Sequence, residues 1–357
     1  MVATDTAGGQ YQVSVVVPAR NEEASLATCL QSLVAQNGAV FEIIVVDDDS
    51  SDRTREIAGS FAGVRVIEAG ALPQGWSGKN NALTAGAHAA RGEWLLFTDA
   101  DTVHLPGSLA RALEEAKRHD ASLLSYSPEQ IVKTFSEKAV MPVIFAELAA
   151  SYRPSRVSDP ASAAAAANGQ YILITREAYD AVGGHAAIAG NLLEDVALAR
   201  AVKRSGRKIF FRYGADAVRT RMYRSFGQLR EGWTKNLALL FPSPVRLAAM
   251  TAIEFVLILG SFAIAVAAGL RAHFLSALVV GILAAILYGF FITRIRRAHF
   301  AWDADIIAVL GLPLFSFLLI ESWMSHKRGS IRWRDRVYSA GKQPKVEPKP
   351  TTAGQVL

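Results

Sequence analysis

Residues 94–101 read WLLFTDAD. WLLF is short and wholly apolar, and after one threonine it runs into two carboxylates, Asp99 and Asp101, spaced i and i+2. An apolar run of that length without polar alternation reads as a strand buried on both faces. The same construction recurs upstream. VSVVV (13–17) leads into Pro18-Ala19-Arg20-Asn21-Glu22, and EIIVV (42–46) leads into Asp47-Asp48-Asp49-Ser50-Ser51-Asp52. VRVI (64–67) is a further strand of this kind, and segments 22–36, 52–61 and 78–90 are long enough for crossover helices. The alternation predicts an α/β fold with a mostly parallel sheet covered by helices. In such sheets ligands bind beyond the carboxyl ends of the strands, so three polar turns on one edge mark the candidate site.

Further along, the pattern loosens. Residues 158–169, SDPASAAAAANG, read as a mobile loop, Gly183 and Gly184 break a helix, and 207–212 and 217–222 suggest further strands. Residues 137–152 carry an apolar face (Val140, Val143, Ile144, Phe145, Leu148) that suits a core helix or a lipid interface. No internal repeat is evident.

The last third accounts for the composition. Of 357 residues 51% are hydrophobic, and the excess sits in three runs at 247–270, 274–293 and 304–323. About 20 apolar residues span a bilayer core as a helix, so each run has the length of a membrane span. The formal charge of +6 suits an anionic membrane surface or a phosphorylated ligand. Residues 203–230 hold nine Lys or Arg against one acid, Asp216, and Lys327, Arg328, Arg332, Arg334 and Arg336 follow the third run. Basic flanks favour the cytoplasmic face. Three full spans would put these two flanks on opposite sides, and Arg294, Arg296 and Arg297 add to the conflict. A re-entrant run is one way out. The tail after 341, rich in Pro, Lys and Thr, reads as disordered. Residues 1–12 lack the pattern of a secretory signal, which leaves the amino-terminal domain expected on the cytoplasmic side of the cell membrane. Cys29 is the sole cysteine, so no internal disulfide forms and a reducing compartment fits.

There is no GxGxxG after the first strand and no GxxxxGK[ST], so something other than a phosphate loop must neutralise a diphosphate. Two carboxylates just past a strand converge on one divalent cation where the backbone turns. Hard oxygen donors suit Mg2+ or Mn2+, which commonly bridge carboxylates and nucleotide phosphates. Acids at such positions also cap the following helix, and Ser50 or Asp52 is placed to do so.

PARNE, DDDSSD and DAD, in this order and spacing, resemble the family 2 glycosyltransferases of the GT-A fold. The resemblance continues through Gly78-Lys79, the segment 168–185 (NGQYILITREAYDAVGGH), Leu193-Glu194-Asp195 and QLREGW (228–233), where Gly232 stands in place of the usual Arg. It covers about residues 13–240. RMYRSFGQLREGWTKN (221–236), the three apolar runs and IRWRDRVYS (331–339) are similar to membrane-bound lipid glycosyltransferases of the carotenoid-acid (diaponeurosporenoate) and hopanoid-associated types.

The resemblance implies a catalytic domain over 10–240, a membrane module over 245–325, and a basic juxtamembrane segment with its tail over 326–357. It implies an inverting, metal-dependent transfer of a hexose, expected to be glucose, from a UDP-sugar to a carotenoid or other lipid, with no nucleic acid partner. Asp99 and Asp101 would hold the metal, and Asp47 and Asp48 would meet the uracil and ribose. Pro18, Ala19, Arg20, Glu22, Ala100 and Gly169 belong to the donor site. Lys79 would approach the phosphates, Asp195 would be the general base beside Glu194, and Gln228, Arg230 and Trp233 would line the acceptor side or close over the diphosphate. Trp76, His104 and His185 are weaker candidates, for base stacking or for metal or acceptor contact; the two histidines read first as polar loop residues. Rival readings are a polysaccharide synthase and an inactive membrane scaffold.

Overall fold

The computed structural model describes residues 11–329 in full, and the backbone alone of 331–333, 336–339 and 342–346. The first half alternates as its pattern predicts: β1 Val13–Ala19, α1 Leu26–Val34, β2 Phe41–Asp47, α2 Thr54–Gly59, β3 Val64–Glu68, α3 Gly78–Ala89 and β4 Trp94–Phe97. Then come β5 Thr102–His104, α4 Ser108–Arg118, β6 Leu123–Ser127, β7 Glu129–Gln130, α5 Phe135–Ser151 and α6 Pro154–Ser158. The amino-terminal part closes with β8 Ile172–Thr175, α7 Arg176–Ala181, α8 Glu194–Arg204, β9 Ile209–Tyr213, β10 Val218–Thr220 and α9 Phe226–Leu240.

Seven strands form one sheet in the order β3-β2-β1-β4-β8-β6-β9. Its β1–β2, β2–β3, β1–β4 and β6–β9 pairs are parallel, and β8 runs antiparallel to both its neighbours. Chain order reverses at β1, which has β2 on one side and β4 on the other, so the crevice for a ligand lies over their carboxyl ends. β1 and β2 are buried along almost their whole length, as continuous apolar runs require. Two apolar layers flank the sheet, one under α1 and α4 and the other under α3 and α8. α3 approaches very closely: a Cβ on Gly86 would fall 2.3 Å from Val16 Cγ1. A side chain there would push α3, and Lys79 in its first turn, away from the sheet edge.

The expected loop at 158–169 has no regular structure after α6, yet it is tied down. Lys203 Nζ donates to the Val157 and Ala164 carbonyls at 2.6 Å each, and Ala165, Ala166 and Ala167 are buried. Alanine lets this segment lie flat against the core, which corrects the expectation of a mobile loop.

The membrane-length runs become α10 Pro244–Leu270, α11 Phe274–Ile295, α12 Trp302–Ile307 and α13 Leu312–Arg328. Three stretches, 244–270, 274–298 and 302–328, are long and apolar enough to cross a membrane. α5 is the joint. Its start is fixed by a reciprocal cap, with Glu137 N–H donating to Thr134 Oγ1 and Thr134 N–H to Glu137 Oε2. Val140, Val143 and Ile144 are buried with Trp233, Leu237, Ala248, Leu312 and Phe315 in one core shared by both halves of the chain. Past α13, β11 Ile331–Trp333, β12 Arg336–Ser339 and β13 Lys342–Val346 pair as a small antiparallel sheet. The tail read as disordered after 341 thus holds a strand at 342–346, and 347–357 lie outside the described residues.

Candidate active site

The first two turns are laced together backbone to side chain. Arg20 Nη1 donates to the Asp48 and Asp49 carbonyls, Ser51 N–H to Asn21 Oδ1 at 2.9 Å, and Glu22 N–H to Thr54 Oγ1 at 2.7 Å. Asn21 and Asp49 adopt the left-handed conformation (φ 53° and 58°), which short polar side chains tolerate in tight turns. Asp47 points back into its own turn and accepts the Ser50 N–H.

The third turn, Asp99-Ala100-Asp101, is pinned from beneath. Thr102 Oγ1 donates to the Asp99 carbonyl at 2.7 Å, and Thr220 Oγ1 to the Asp101 carbonyl at 3.2 Å. Thr98 Oγ1 donates to Gln170 O at 2.8 Å and lies 3.0 Å from His104 Nε2. His104 is therefore part of the support, and burial pushes its pKa down to about 3. His185 is likewise buried, bonded to the Tyr179 hydroxyl at 3.0 Å, with its pKa pushed down to about 3 by burial. Both were read as polar loop residues; both are neutral parts of the interior.

α3 and α8 meet over this turn for a readable reason. Ser77 caps α3, and the Asn80 amide donates to the carbonyls of Ile188, Ala189 and Asn191, gripping the segment that leads into α8. Lys79 Nζ consequently stands 2.7 Å from Asp99 Oδ1 and 2.7 Å from Glu194 Oε1. Burial alone would lower the Lys79 pKa, but the two carboxylates outweigh it and hold the ammonium charged. Asp195 accepts the Gly169 N–H at 3.0 Å and its neighbour Val196's N–H at 2.7 Å. Burial, then the adjacent Glu194 charge, raise the Asp195 carboxyl above the usual carboxylate range. Burial pushes Glu194 the same way, but Lys79 and Lys235 reverse it and hold Glu194 low. Two neighbouring carboxylates with pKa values driven apart are the arrangement that acid–base chemistry uses.

The three turns and the starts of α3 and α8 border one cleft of about 730 Å³. Of the residues singled out in the sequence, Pro18, Ala19, Arg20, Glu22, Asp48, Lys79, Asp99, Ala100, Asp101, Gly169, Glu194, Asp195 and Trp233 line it. The same cleft is also lined by Phe145, Leu148, Met222, Tyr223 and Leu240, which pack with the core joining the two halves of the chain, and by Arg153, Asn236, Arg297 and His299. Trp76 is half-buried and is not among the lining residues.

Three expectations are corrected. Asp47, as above, serves its turn and not the cleft. Gln228 Oε1 accepts the Arg224 N–H at the exposed start of α9, and Arg230 pairs with Glu321 on α13, its Nε 2.9 Å from both carboxylate oxygens. The buried stripe of α9 is Leu229, Gly232, Trp233 and Leu237, so 228 and 230 fall outside it. Gly232 is explained by the same packing. A Cβ there would lie 2.5 Å from the Tyr223 hydroxyl and 2.6 Å from its ring, so no larger residue fits. The residue that sequence reasoning missed is Lys235. It is half-buried in the cleft wall, and the charges acting on it are Glu194, Lys79, Asp195 and Asp99. The only signal was a lysine two positions after the tryptophan, in a stretch turning apolar.

For a divalent cation, Asp99 and Asp101 supply two hard carboxylate donors at one turn. No group of three or more His, Cys, Asp or Glu side chains gathers as a cage among the described residues. That set fits Mg2+ or Mn2+ shared with a diphosphate, since these ions are commonly held by one or two carboxylates plus substrate phosphates and water.

The mostly parallel sheet with its acid-lined cleft at the switch point is the GT-A fold. Residues 14–180 match the model of glycosyl transferase family 2, and the chain is a glycosyltransferase that carries a domain of that kind. It is 28% identical over 345 residues to 4,4'-diaponeurosporenoate glycosyltransferase of Staphylococcus aureus (strain USA300), covering 93% of this chain and 89% of that one. The enzyme of the same name from strain MRSA252 is 27% identical over 342 residues, with the same coverage. The fold is shared with a mannosyltransferase from Pyrobaculum calidifontis, solved in complex with GDP-Man and Mn2+. That match has a TM-score of 0.50 and 17% identity, over 89% of this chain and 88% of that one.

Proposed function

We propose that the chain is a membrane-anchored, inverting glycosyltransferase that moves a hexose, glucose by preference, from a UDP-sugar onto a carotenoid or other lipid. The observation that carries this reading is the mixed lining of one cleft. Charged groups from three sheet-edge turns and two helices share it with apolar side chains of the core that packs on the membrane-length helices. A polar donor and an apolar acceptor require such a pairing. The named activity of the Staphylococcus aureus relatives, matched along nearly the whole chain, supports a carotenoid-type acceptor.

In this reading Asp48 and Arg20 face the nucleoside. Asp99 and Asp101 would hold Mg2+ or Mn2+, which would offset the negative charge that grows on the departing diphosphate. Lys79 keeps Asp99 and Glu194 in register and places a positive charge at the phosphate end. Asp195 takes the proton of an acceptor hydroxyl as that oxygen attacks the anomeric carbon opposite the leaving group. Its raised pKa makes it a stronger base than an ordinary aspartate while leaving it ionised near neutral pH. A carboxylate acceptor arrives without a proton and needs no base, and there Lys235 would serve as counter-charge. Phe145, Leu148, Met222, Tyr223 and Leu240 hold the lipid. The chain sits in the cell membrane with its catalytic half on the cytoplasmic face.

The test is to incubate membranes containing the protein with labelled UDP-glucose and Mn2+ and identify any labelled lipid by mass spectrometry. Expected are a glycolipid carrying one hexose and loss of labelling in Asp101→Ala. Asp195→Asn separates the two acceptor chemistries, because it stops transfer to a hydroxyl and spares transfer to a carboxylate. A polymeric product, or transfer that survives Asp101→Ala, would overturn the reading.

A further inference from the structure

The three apolar stretches are not equivalent. α10 and α11 pack as a hairpin and are the less buried pair, with only 6% and 11% of their most apolar windows buried, against 50% for 302–328. That third stretch also changes its winding, since one turn of tighter 3-10 helix, Ala308–Gly311, joins α12 to α13.

Both of its ends rest on the catalytic half. At the start, Lys138 of α5 donates to Asp303 at 2.6 Å, and Gly311 lies so close to α5 that a Cβ would fall 2.0 Å from the Ala139 carbonyl. At the end, Glu321 pairs with Arg230, Ser322 Oγ accepts the Ala238 N–H at 2.9 Å, and His326 Nε2 bonds the Lys235 carbonyl at 2.8 Å. Those partners all lie on α9, the helix that brings Lys235 to Glu194. A segment whose two ends are seated on one side of a membrane does not cross it.

Its outward positions are nonetheless apolar. Trp302, Ile306, Leu310, Phe317 and Trp323 are exposed. Basic residues close both ends, Arg296 and Arg297 before it and Lys327 and Arg328 after it. An apolar face outward, a protein-bound face inward and cationic ends suit a helix lying in the headgroup region of an anionic leaflet.

We propose that only α10 and α11 cross the bilayer, and that residues 302–328 lie along its surface on the catalytic side, with these exposed apolar side chains in the lipid. The charge conflict then disappears, because the basic segments before α10, after α11 and after α13 all lie on one face. Only Arg271 and His273, at the hairpin tip, reach the other. This inference rests on the membrane placement proposed above and not on the transfer reaction.

Single-cysteine variants of the full chain test it. In a Cys29→Ala background, His273→Cys, Arg328→Cys and, as the catalytic-side reference, Ser60→Cys are exposed to a membrane-impermeant maleimide. Labelling is compared in intact cells and in opened membranes, and Lys327→Cys replaces Arg328→Cys if the latter fails to accumulate. Expected is labelling of His273→Cys in intact cells, and of Ser60→Cys and Arg328→Cys only after opening. Labelling of Arg328→Cys from outside would show a third crossing, and its absence in both preparations would place that end within the bilayer. Either result overturns the inference alone. Failure of His273→Cys to label from outside, with Ser60→Cys inside, would overturn the crossing hairpin as well.

Discussion

Gly169 donates its backbone N–H to Asp195 Oδ2 at 3.0 Å, so the loop before β8 orients the carboxylate at the start of α8. The contact leaves no room. A Cβ on Gly169 would lie 3.1 Å from Lys79 Nζ, 3.2 Å from Glu194 Oε1 and 3.6 Å from Asp195 Oδ2. Gly169→Ala should therefore shift flexible charged tips by a few tenths of an ångström without unfolding the chain. Misplacement of reacting groups costs rate steeply, so kcat should fall on the order of 10- to 100-fold with little change in Tm. Unchanged kcat in a purified, correctly melting variant would count against the role of this loop.

The pH profile carries a second prediction. Burial and the Glu194 charge raise the Asp195 pKa, so transfer to a hydroxyl acceptor should decline as pH falls through that raised value and the base is protonated. Glu194→Gln removes the neighbouring negative charge, which favours ionised Asp195, so the acidic limb should move to lower pH. A limb that stays put or moves upward in a kcat/KM titration would contradict the assignment.

Two cations five positions apart on α9 should behave differently. Lys235 lines the cleft and feels Glu194, Asp195 and Asp99, so Lys235→Met should lower kcat/KM on the order of 10- to 100-fold. Arg230 pairs with Glu321 at the surface, with half of its own side chain exposed, and such a pair contributes about 0–1 kcal/mol after solvent screening. Arg230→Ala should keep kcat/KM within about twofold. Initial rates of the two variants in the same membranes decide it, and the opposite ranking would return Arg230 to the site.

Much of the amino-terminal half was legible because β1, β2 and β4 are buried on both faces and announce themselves as apolar runs ending in acids. β8 carries the same kind of signal in ILIT, but nothing local reveals that it runs antiparallel between β4 and β6. The α9 motif misled for a related reason. Order along the chain places Gln228, Arg230 and Trp233 together, while helical phase buries Trp233 and turns the other two out. In the third apolar run, Gly311 and Pro313 mark the change from 3-10 to α winding before α13. Bulk hydropathy hides that change, because it averages over the whole run.

The core that joins α5 and α9 to α10 and α13 also bears on how the protein can be handled. Cutting the chain after residue 243 would strip α5 and α9 of their cover and leave Val140, Val143, Ile144, Trp233 and Leu237 facing water. The hydrophilic-looking half is therefore not a detachable reagent. Produced alone it would clump, and it keeps its shape only when the greasy segments are synthesised with it and a detergent or nanodisc stands in for the bilayer.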